Sequence, residues 1–280
     1  MIRLAIFVLF LALGACGQSG VDEHTPSDRP TRIVSLDFCS DQYVLKLVDR
    51  EHILAVSPDA VRDFSYMRDE AIGVPTVRPT AEDVLILKPD MVVRSYGGGP
   101  NATAFFERAG VPVLNVGWAS SVHDAEINSI PSVIRDVAAG LGMPERGEAV
   151  IDDYLRRLEA VQKTASGRST LYMTPAGVTS GGNSLIHQAM MAAGLTNFAE
   201  RSGWHSLPLE RLAYERPDLV AAAYFETRTN HETGWSPSRH PIAQRELTQS
   251  DRVDLEGAWL SCGGWFILEA IETLAAGPPE

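Results

Sequence analysis

Large aromatic side chains stand at the ends of short apolar segments in this 280-residue sequence, or in the loops beside them. The residues concerned are Phe38, Tyr96, Trp118, Trp204, Tyr224 and Trp259. Aromatic rings offer wide, rigid apolar faces, and a pocket that combines such faces with a few polar groups suits a broad organic molecule. The pattern therefore predicts a binding site for a wide, partly apolar ligand.

Other residues in the same segments are candidates to orient that ligand. We predict that it also contacts Gly97, Thr174, His205, Arg239 and His240. Arg239 is the strongest candidate to bind an anionic group, because a guanidinium forms paired hydrogen bonds with carboxylates and phosphates. The seven histidines show no spacing typical of a metal centre, so no bare metal site is predicted.

The first residues predict export and attachment to a membrane. Arg3 precedes an apolar run at 4–13 that is too short to span a bilayer, so residues 1–15 are predicted to be a signal peptide. The run leads into the letters LGAC, which resemble a bacterial lipobox, in which the cysteine carries the lipid. We therefore predict a lipidated Cys16, a flexible polar tether over residues 16–30, and a location in the periplasm or cell envelope.

Export leaves Cys39 and Cys262 in an oxidising compartment, where disulfides persist. Three interpretations are open from the sequence: a disulfide, two separate buried thiols, or two soft ligands for a bound metal. Cys39 follows an apolar segment at the start of a predicted helix, so we also include it among the ligand-contacting residues.

The sequence lacks common enzyme motifs, and its charge argues against nucleic acid. It contains no G-x-S-x-G, H-E-x-x-H or C-x-x-C pattern, and the triple glycine at 97–99 fits neither glycine motif for nucleotides. The net charge is −12, and no cluster of lysine and arginine is present to bind phosphates. We predict a binding protein that is not an enzyme and has no nucleic-acid partner.

Short apolar strands alternate with helical patterns in both halves of the chain. The predicted strands are 32–36, 53–57, 91–95, 111–116, 169–175 and 219–225. Between these groups, residues 122–165 show helical periodicity, and a helix start is indicated at Pro144. This alternation predicts an α/β fold with mostly parallel sheets, in two lobes joined by one long α-helix. We place the lobes at 31–143 and 167–280, and the linking helix at 144–166.

One sequence pattern occurs in both predicted lobes. LKPDMV at residues 87–92 returns as ERPDLV at 215–220, and Glu82 and Glu210 each stand seven residues before the proline. A repeated pattern in matching surroundings predicts two lobes of the same construction. Because ligands of open α/β sheets bind beyond the carboxyl ends of the strands, we expect the ligand in the cleft between the lobes.

The order and spacing of several stretches resemble the periplasmic substrate-binding proteins of ABC importers for iron–siderophore complexes and cobalamin. Within residues 31–277, the stretches are RIVSLDFCSDQYVLKLV, LKPDMVV, AGVPVLNVG, GMPERGEAVIDDYLRRL, GGNSLIHQAMMAAGLTNF and LPLERLAYERPDLV. The resemblance implies two Rossmann-like lobes with a metal chelate held between them. It implies no cofactor of the protein's own, since the ferric siderophore or cobalamin is cargo.

The resemblance also implies partners. Members of this family dock on the permease and ATPase complex of an ABC importer through one carboxylate on each lobe, and we assign this role to Glu70 and Glu200. We expect a monomer. Three alternatives stay open: a haem-binding protein whose iron is held by Tyr96, His205 or His240, a zinc- or manganese-binding protein, and an interaction lipoprotein without a small ligand.

Overall fold

The computed structural model of the chain has two four-stranded sheets, one in each half of the sequence. All strand pairs within these two sheets are parallel. The predicted α/β class, with mostly parallel sheets in two lobes, is confirmed. The structure describes residues 29–117, 127–162, 166–228 and 232–278. The predicted signal peptide, Cys16 and Trp118 lie outside these residues.

The N-terminal lobe is built around a sheet with the strand order β2-β1-β3-β4. Its strands are β1 (Ile33–Ser35), β2 (Ile53–Ala55), β3 (Met91–Arg94) and β4 (Val113–Asn115). Its helices are α1 (Phe38–Leu47), α2 (Ala81–Ile86) and α3 (Ala102–Arg108). Valine, isoleucine and leucine prevail in these strands, because apolar side chains fit a sheet that is covered on both faces.

Two consecutive helices follow the first sheet, α4 (Ile130–Gly140) and α5 (Pro144–Gln162). Gly142 adopts a left-handed conformation (φ 69°) after α4, and Pro144 opens α5, so the predicted helical stretch contains two helices. Helix α5 has 19 residues, which corresponds to a length of about 28 Å. The lobe boundaries at residues 143 and 166 stay predictions.

The C-terminal lobe repeats the topology of the first. Its main strands are β5 (Ser169–Met173), β7 (Thr196–Asn197), β9 (Leu219–Ala223) and β10 (Arg252–Leu255), and a separate antiparallel pair consists of β6 (Val178–Ser180) and β8 (Trp204–Ser206). Its helices are α6 (Leu185–Ala192), α7 (Leu209–Leu212), α8 (Pro241–Gln249), α9 (Gly257–Leu260) and α10 (Ile267–Ala276). The strand order of its sheet is β10-β9-β5-β7. If the four main strands of each lobe are numbered 1 to 4 along the chain, both sheets have the spatial order 2-1-3-4.

Strands β6, β7, β8 and β10 are not predicted from the sequence, because they are short or lie at an edge. Strand β10 is an edge strand, in which Val253 and Leu255 are buried while Asp254 between them is exposed. It therefore lacks the continuous apolar run that reveals a buried strand. Strand β7 has only two residues, too few for any periodicity to show.

The repeated Pro-Asp pattern has the same structural role in both lobes. Asp90 accepts hydrogen bonds from the backbone N–H groups of Thr31 (2.9 Å) and Arg32 (3.0 Å), just before β1. Asp218 accepts the backbone N–H of Ser169 at 2.8 Å, at the start of β5. Each aspartate directly precedes the third strand of its lobe, so it ties the start of that strand to the start of the first.

The lobes share a hydrophobic core and a connecting helix. One cluster of buried residues includes Tyr43 of the N-terminal lobe, Tyr154 of α5 and Phe266 of the C-terminal lobe. Near the start of α5, Arg146 donates to a backbone carbonyl of α1 at 2.8 Å. Farther along α5, Arg157 donates to two glutamates of α10 at 2.6 and 3.0 Å. Because one stiff helix is bonded to both lobes, we expect a small hinge motion rather than a wide closure.

We predict that Asp90→Ala and Asp218→Ala each lower the melting temperature by about 3–6 °C, because each change removes an acceptor for backbone N–H groups at a strand start, about 1–2 kcal/mol. Thermal unfolding followed by circular dichroism measures this. Asp152→Ala is the control, since Asp152 is exposed on α5 and its side chain has no hydrogen bond to another described residue. Equal melting temperatures for the three variants would contradict the role assigned to the repeated pattern.

Candidate ligand-binding site

The carboxylate of Asp37 holds together the loops that follow β1 and β3. Its Oδ1 accepts the backbone N–H of Ser40 at 3.0 Å and so caps α1. Its Oδ2 accepts the N–H groups of Ser95, Tyr96 and Gly97, at 2.7, 3.0 and 2.8 Å. Since β1 and β3 are adjacent parallel strands, the two loops lie together at the carboxyl edge of the sheet, where ligands of α/β proteins bind.

Arg94 holds the other side of the loop after β3. Its buried guanidinium donates to the carbonyl oxygens of Gly97 at 2.7 Å and Gly99 at 3.1 Å. It also donates to the hydroxyl of Thr103 at 3.0 Å. Gly97 packs so closely on the end of β1 that a Cβ atom would lie 2.4 Å from the carbonyl oxygen of Leu36. Gly97 is therefore buried, and its lack of a side chain permits this close approach.

An aromatic cluster covers this edge of the sheet. The ring of Phe38 lies 4.9 Å from that of Phe64 and 6.1 Å from that of Tyr96, in edge-to-face contacts. Tyr96 is 49% exposed, so its ring is accessible to a ligand. Desolvation, and then the nearby carboxylate of Asp37, raise the pKa of Tyr96, so its hydroxyl stays a neutral hydrogen-bond donor. Phe64 is not among the predicted residues, because it lies in an irregular segment without periodicity.

Tyr224 and Trp259 form the corresponding region of the C-terminal lobe. Tyr224 directly follows β9 and has a left-handed backbone (φ 68°), a costly conformation that occurs preferentially at functional sites. Its ring lies over Gly257, where a Cβ atom would come within 2.4 Å of a ring carbon. Phe38, Tyr224 and Trp259 all pack against the core that the lobes share. Of these three residues, Trp259 also lines a cavity together with Met67 of the N-terminal lobe, which places it at the junction of the lobes.

A disulfide joins the two lobes beside these rings. Cys39, at the start of α1, is paired with Cys262, between α9 and α10, and their Cα atoms are 5.6 Å apart. Of the three interpretations open from the sequence, the structure shows the disulfide, so neither cysteine is a thiol ligand for a metal. Close by, the hydroxyl of Tyr43 donates to the carbonyl oxygen of Gly263 at 3.3 Å. These two contacts fix the separation of the lobes at this point.

A cavity of about 340 Å³ lies between the lobes, with Met67, Glu70 and Trp259 in its lining. Two pairs bridge the lobes there. The hydroxyl of Tyr66 donates to Glu269 at 3.3 Å, and Arg68 lies 3.4 Å from the carboxylate of Glu256. Carboxylates outnumber cations in this lining, so the cavity favours a neutral or cationic group over an anionic one.

Trp204 and His205, both predicted to contact the ligand, lie on opposite faces of the β6–β8 pair. Trp204 is exposed on one face, and its ring is 5.9 Å from that of Tyr172. His205 lies on the other face, in the lining of a larger cavity of about 500 Å³ within the C-terminal lobe. Its Nδ1 is 2.9 Å from the carbonyl oxygen of Ser206 and its Nε2 is 3.1 Å from that of Arg201. Neither ring nitrogen is therefore free for a metal.

The larger cavity is not the site that we favour. It lies wholly within one lobe, between β8 and α7, and Arg211 in its wall stacks on the ring of Phe198 at 4.0 Å. The aromatic residues Phe38, Tyr96 and Tyr224 do not line it. Strand topology places these three residues at the carboxyl edges of the two sheets, which is the stronger indication of a ligand site.

The remaining predicted side chains make local contacts. The hydroxyl of Thr174 contacts the carbonyl oxygen of Val178 at 3.3 Å, within the turn between β5 and β6. His240 caps α8, because its Nδ1 accepts the backbone N–H of Ile242 at 3.2 Å. The exposed Arg239 lies 3.7 Å from the carboxylate of Glu232. No group of three or more metal-ligating side chains occurs in the part of the chain that the structure describes.

Comparison with known proteins identifies the family. The model of a family described as periplasmic binding protein matches residues 33–232, which is most of this chain. The chain belongs to the periplasmic binding protein family. Its members are substrate-binding components of ABC importers, they are periplasmic, and they are not enzymes. Within the described ranges, none of the helices is both long and apolar enough to cross a membrane.

Solved structures with this fold include proteins for two kinds of chelate. The periplasmic haem-binding protein of Pseudomonas aeruginosa is 23% identical, with a TM-score of 0.63 over 88% of this chain and 92% of that one. A haem-binding protein of Vibrio cholerae is 18% identical, with a TM-score of 0.67 over 88% of this chain and 98% of that one. A vitamin B12-binding protein of the same organism is 18% identical, with a TM-score of 0.60 over 89% of this chain and 96% of that one. A search of curated protein sequences found no significant match. At identities this low, the similarity of the structures establishes a common fold alone.

Asp41 is a buried carboxyl group beneath the aromatic cluster. It lies on α1, is 0% exposed, and accepts hydrogen bonds from the hydroxyl (2.6 Å) and the N–H (3.2 Å) of Ser57. Desolvation raises the pKa of Asp41 to about 7, against partial compensation by these hydrogen bonds. In the folded protein Asp41 therefore holds its proton at a pH where the unfolded chain, with a pKa of 3.8, has lost it.

We predict that Asp41 makes the protein less stable as pH rises. Its contribution to the free energy of unfolding is fully present below pH 4 and is lost as pH rises to about 7. A pKa difference of about three corresponds to about 4 kcal/mol. Asp41→Asn should remove most of this dependence while Asp59→Asn, at an exposed position, should keep it. Urea unfolding at pH 4.5, 6 and 8 measures the difference. Parallel pH profiles for Asp41→Asn and the unchanged protein would contradict the prediction.

Proposed function

We propose that this protein captures a metal chelate between its lobes and delivers it, chemically unchanged, to the permease of an ABC importer. The proposal is supported by a set of aromatic residues that follow the carboxyl ends of strands in both lobes. Phe38, Tyr96 and Tyr224 stand just beyond the carboxyl ends of β1, β3 and β9. Trp259 extends this surface next to Tyr224, in α9. Rigid rings suit the broad apolar face of a chelate.

A ferric siderophore or a corrinoid such as cobalamin is the ligand class that we favour. Cys39 and Cys262 are joined in a disulfide, and His205 directs both ring nitrogens at backbone carbonyls. These are the side chains that a bare transition-metal ion would need. A metal that enters inside its own organic chelator needs none of them, which supports a chelate over zinc or manganese.

Haem is the second candidate. Two of the solved structures with the same fold are described as haem-binding proteins. Haem iron can be held by a single tyrosine. Tyr96 is half exposed at the edge of the aromatic cluster, whereas His205 has no free ring nitrogen. Tyr96 is therefore the residue that we propose as iron ligand if the cargo is haem.

Delivery requires recognition of the permease, and the lobes offer two pairs of carboxylates for it. The predicted pair is Glu70 and Glu200, of which Glu200 lies 3.2 Å from the guanidinium of Arg211. The repeated pattern supplies a second pair, Glu82 and Glu210, in the first turns of α2 and α7. Both are exposed and have no ion pair with another described residue. Equivalent positions on two lobes suit a partner with two equivalent sites, which favours the second pair.

The remaining features of the proposal concern the cell envelope. We propose that Cys16 carries a lipid and that the polar residues after it tether the two lobes to the membrane, since the segment has the composition of a flexible linker. A lipid anchor keeps the protein near the permease. We propose that the protein works as a monomer.

We predict that one chelate raises the melting temperature of the purified protein by about 5–10 °C at a hundred times its dissociation constant. The panel contains a ferric trihydroxamate, a ferric tricatecholate, cyanocobalamin, haemin, zinc and manganese. A shift with a siderophore or cobalamin alone supports the favoured class, and a shift with haemin alone supports the second. Shifts with the bare ions alone, or with no member of the panel, would refute the chelate proposal.

We predict that the double variant Glu82→Lys/Glu210→Lys binds permease-containing vesicles about tenfold or more weakly, because reversed charge opposes docking on a cationic surface. Chelate affinity should not change. The matched comparison is Glu70→Lys/Glu200→Lys, and Glu145→Lys on the exposed side of α5 is the control. Normal docking by both double variants would rule out both pairs of carboxylates as the docking site.

A further inference from the structure

Among the described residues of the C-terminal lobe, three hydroxyl groups are buried without a hydrogen-bond partner. They belong to Tyr172 in β5 and to Thr179 and Ser180 in β6. Each of these residues is 0% exposed. Native proteins rarely bury polar groups without partners, because such groups lose their bonds to water and gain nothing in return. Several in one small region indicate that something other than this chain satisfies them.

The strand register separates these hydroxyls into two sets. In the antiparallel β6–β8 pair, Ser180 is the direct partner of Trp204 and Thr179 is the direct partner of His205. Direct partners in such a pair point to the same face, and neighbours along a strand point to opposite faces. The ring of Tyr172 contacts that of Trp204, with centroids 5.9 Å apart. The hydroxyl-bearing side chains of Tyr172 and Ser180 therefore share the face of Trp204, and Thr179 faces the other way.

This face adjoins the wall of the candidate site. The turn from β5 to β6 is closed by a bond from the N–H of Thr174 to the carbonyl of Val178 (3.1 Å), which places the β6–β8 pair at the carboxyl end of β5. Strand β9 lies beside β5, so Tyr224, which follows β9, ends at the same edge. Tyr224 also lies near enough to Tyr172 to raise the pKa of its phenol. Tyr172 thus lies between Tyr224 and Trp204.

Trp204 lies against Tyr172 and is the strand partner of Ser180, but it is itself largely exposed. Trp204 is 59% exposed, whereas the neighbouring Tyr172 is fully buried. Among the described aromatic residues, Tyr172 is its ring partner. A rotation of the exposed indole about its side-chain bonds would open access to the hydroxyls without moving the backbone, and such rotations of exposed side chains are fast.

The character of the two hydroxyls restricts the group that they would bind. Burial raises the pKa of Tyr172 well above its usual range, so its phenol is a neutral donor. No hydrogen bond from a charged side chain reaches either hydroxyl. A carboxylate or phosphate would be buried here without a counter-ion, which costs much free energy. The carbonyl oxygen of an amide, or of a hydroxamate whose negative charge is balanced by the ferric ion that it binds, accepts both hydrogen bonds without that cost.

We propose that Tyr172 and Ser180 form a subsite that hydrogen-bonds a neutral carbonyl oxygen of the cargo, with Trp204 as a movable cover that then packs on the bound group. The subsite rests on the proposed function and refines it. It favours a chelate with amide or hydroxamate groups over haem, whose peripheral polar groups are carboxylates. No covalent step is involved, and the cargo leaves as it arrived.

The experiment compares Tyr172→Phe and Ser180→Ala with the control Thr179→Val, which removes the unpartnered hydroxyl of the opposite face. Removal of an unsatisfied buried hydroxyl should raise the melting temperature of the ligand-free protein by about 2–4 °C in all three variants. Affinities for a ferric trihydroxamate, cyanocobalamin and haemin are then measured by tryptophan fluorescence. For the trihydroxamate or cobalamin we expect binding that is about 3–10-fold weaker in Tyr172→Phe and Ser180→Ala and unchanged in Thr179→Val.

The outcomes separate this inference from the function on which it rests. Tight binding of the chelate by Tyr172→Phe and Ser180→Ala, or an equal loss in Thr179→Val, overturns the subsite while the chelate function stands. Binding of haemin alone, with no effect of either substitution, overturns it as well. If none of the three chelates binds the unchanged protein, the chelate function fails, and the subsite fails with it.

Discussion

The four hydrogen bonds to the carboxylate of Asp37 are the interaction on which the N-terminal half of the site depends. Asp37 is buried, and its loss of contact with water is compensated by four backbone N–H donors at the start of α1 and in the loop after β3. The same carboxylate thereby sets where α1 begins and where the loop after β3 runs. Phe38 begins that helix and Tyr96 lies in that loop, so one buried anion determines the distance between two rings of the candidate site.

The relation between the lobes depends on several contacts that lie far apart in the sequence. The disulfide joins residues separated by 223 positions, and Asp63 accepts the backbone N–H of Arg228 at 2.7 Å. Helix α5 adds Arg157, which reaches α10. Together they restrict how far the cleft can open. The consequence is a site that is largely formed before the ligand arrives, which lowers the entropy lost on binding.

The candidate site shows what can be predicted residue by residue. Phe38, Tyr96 and Tyr224 were identifiable because they follow apolar strands, and the carboxyl ends of parallel strands share an edge. His205 follows Trp204 directly but faces the opposite side of the strand pair, so its role as a ligand contact stays a prediction. Phe64 and Tyr66 had no comparable signal, because the segment around them is irregular and is held by contacts with residues far away in the sequence, among them Phe38, Glu269 and Arg228.

The sequence by itself determined the α/β class, the two lobes and the start of α5 at Pro144, because apolar periodicity and proline geometry act over a few neighbouring residues. It also contained the repeated aspartates, Asp90 and Asp218, whose common role became visible only with their partners. Tertiary structure alone decided that the two cysteines pair and that the ring of Trp204 lies against that of Tyr172. Such contacts join residues that are distant along the chain. They depend on how complete elements pack, and no local pattern specifies that.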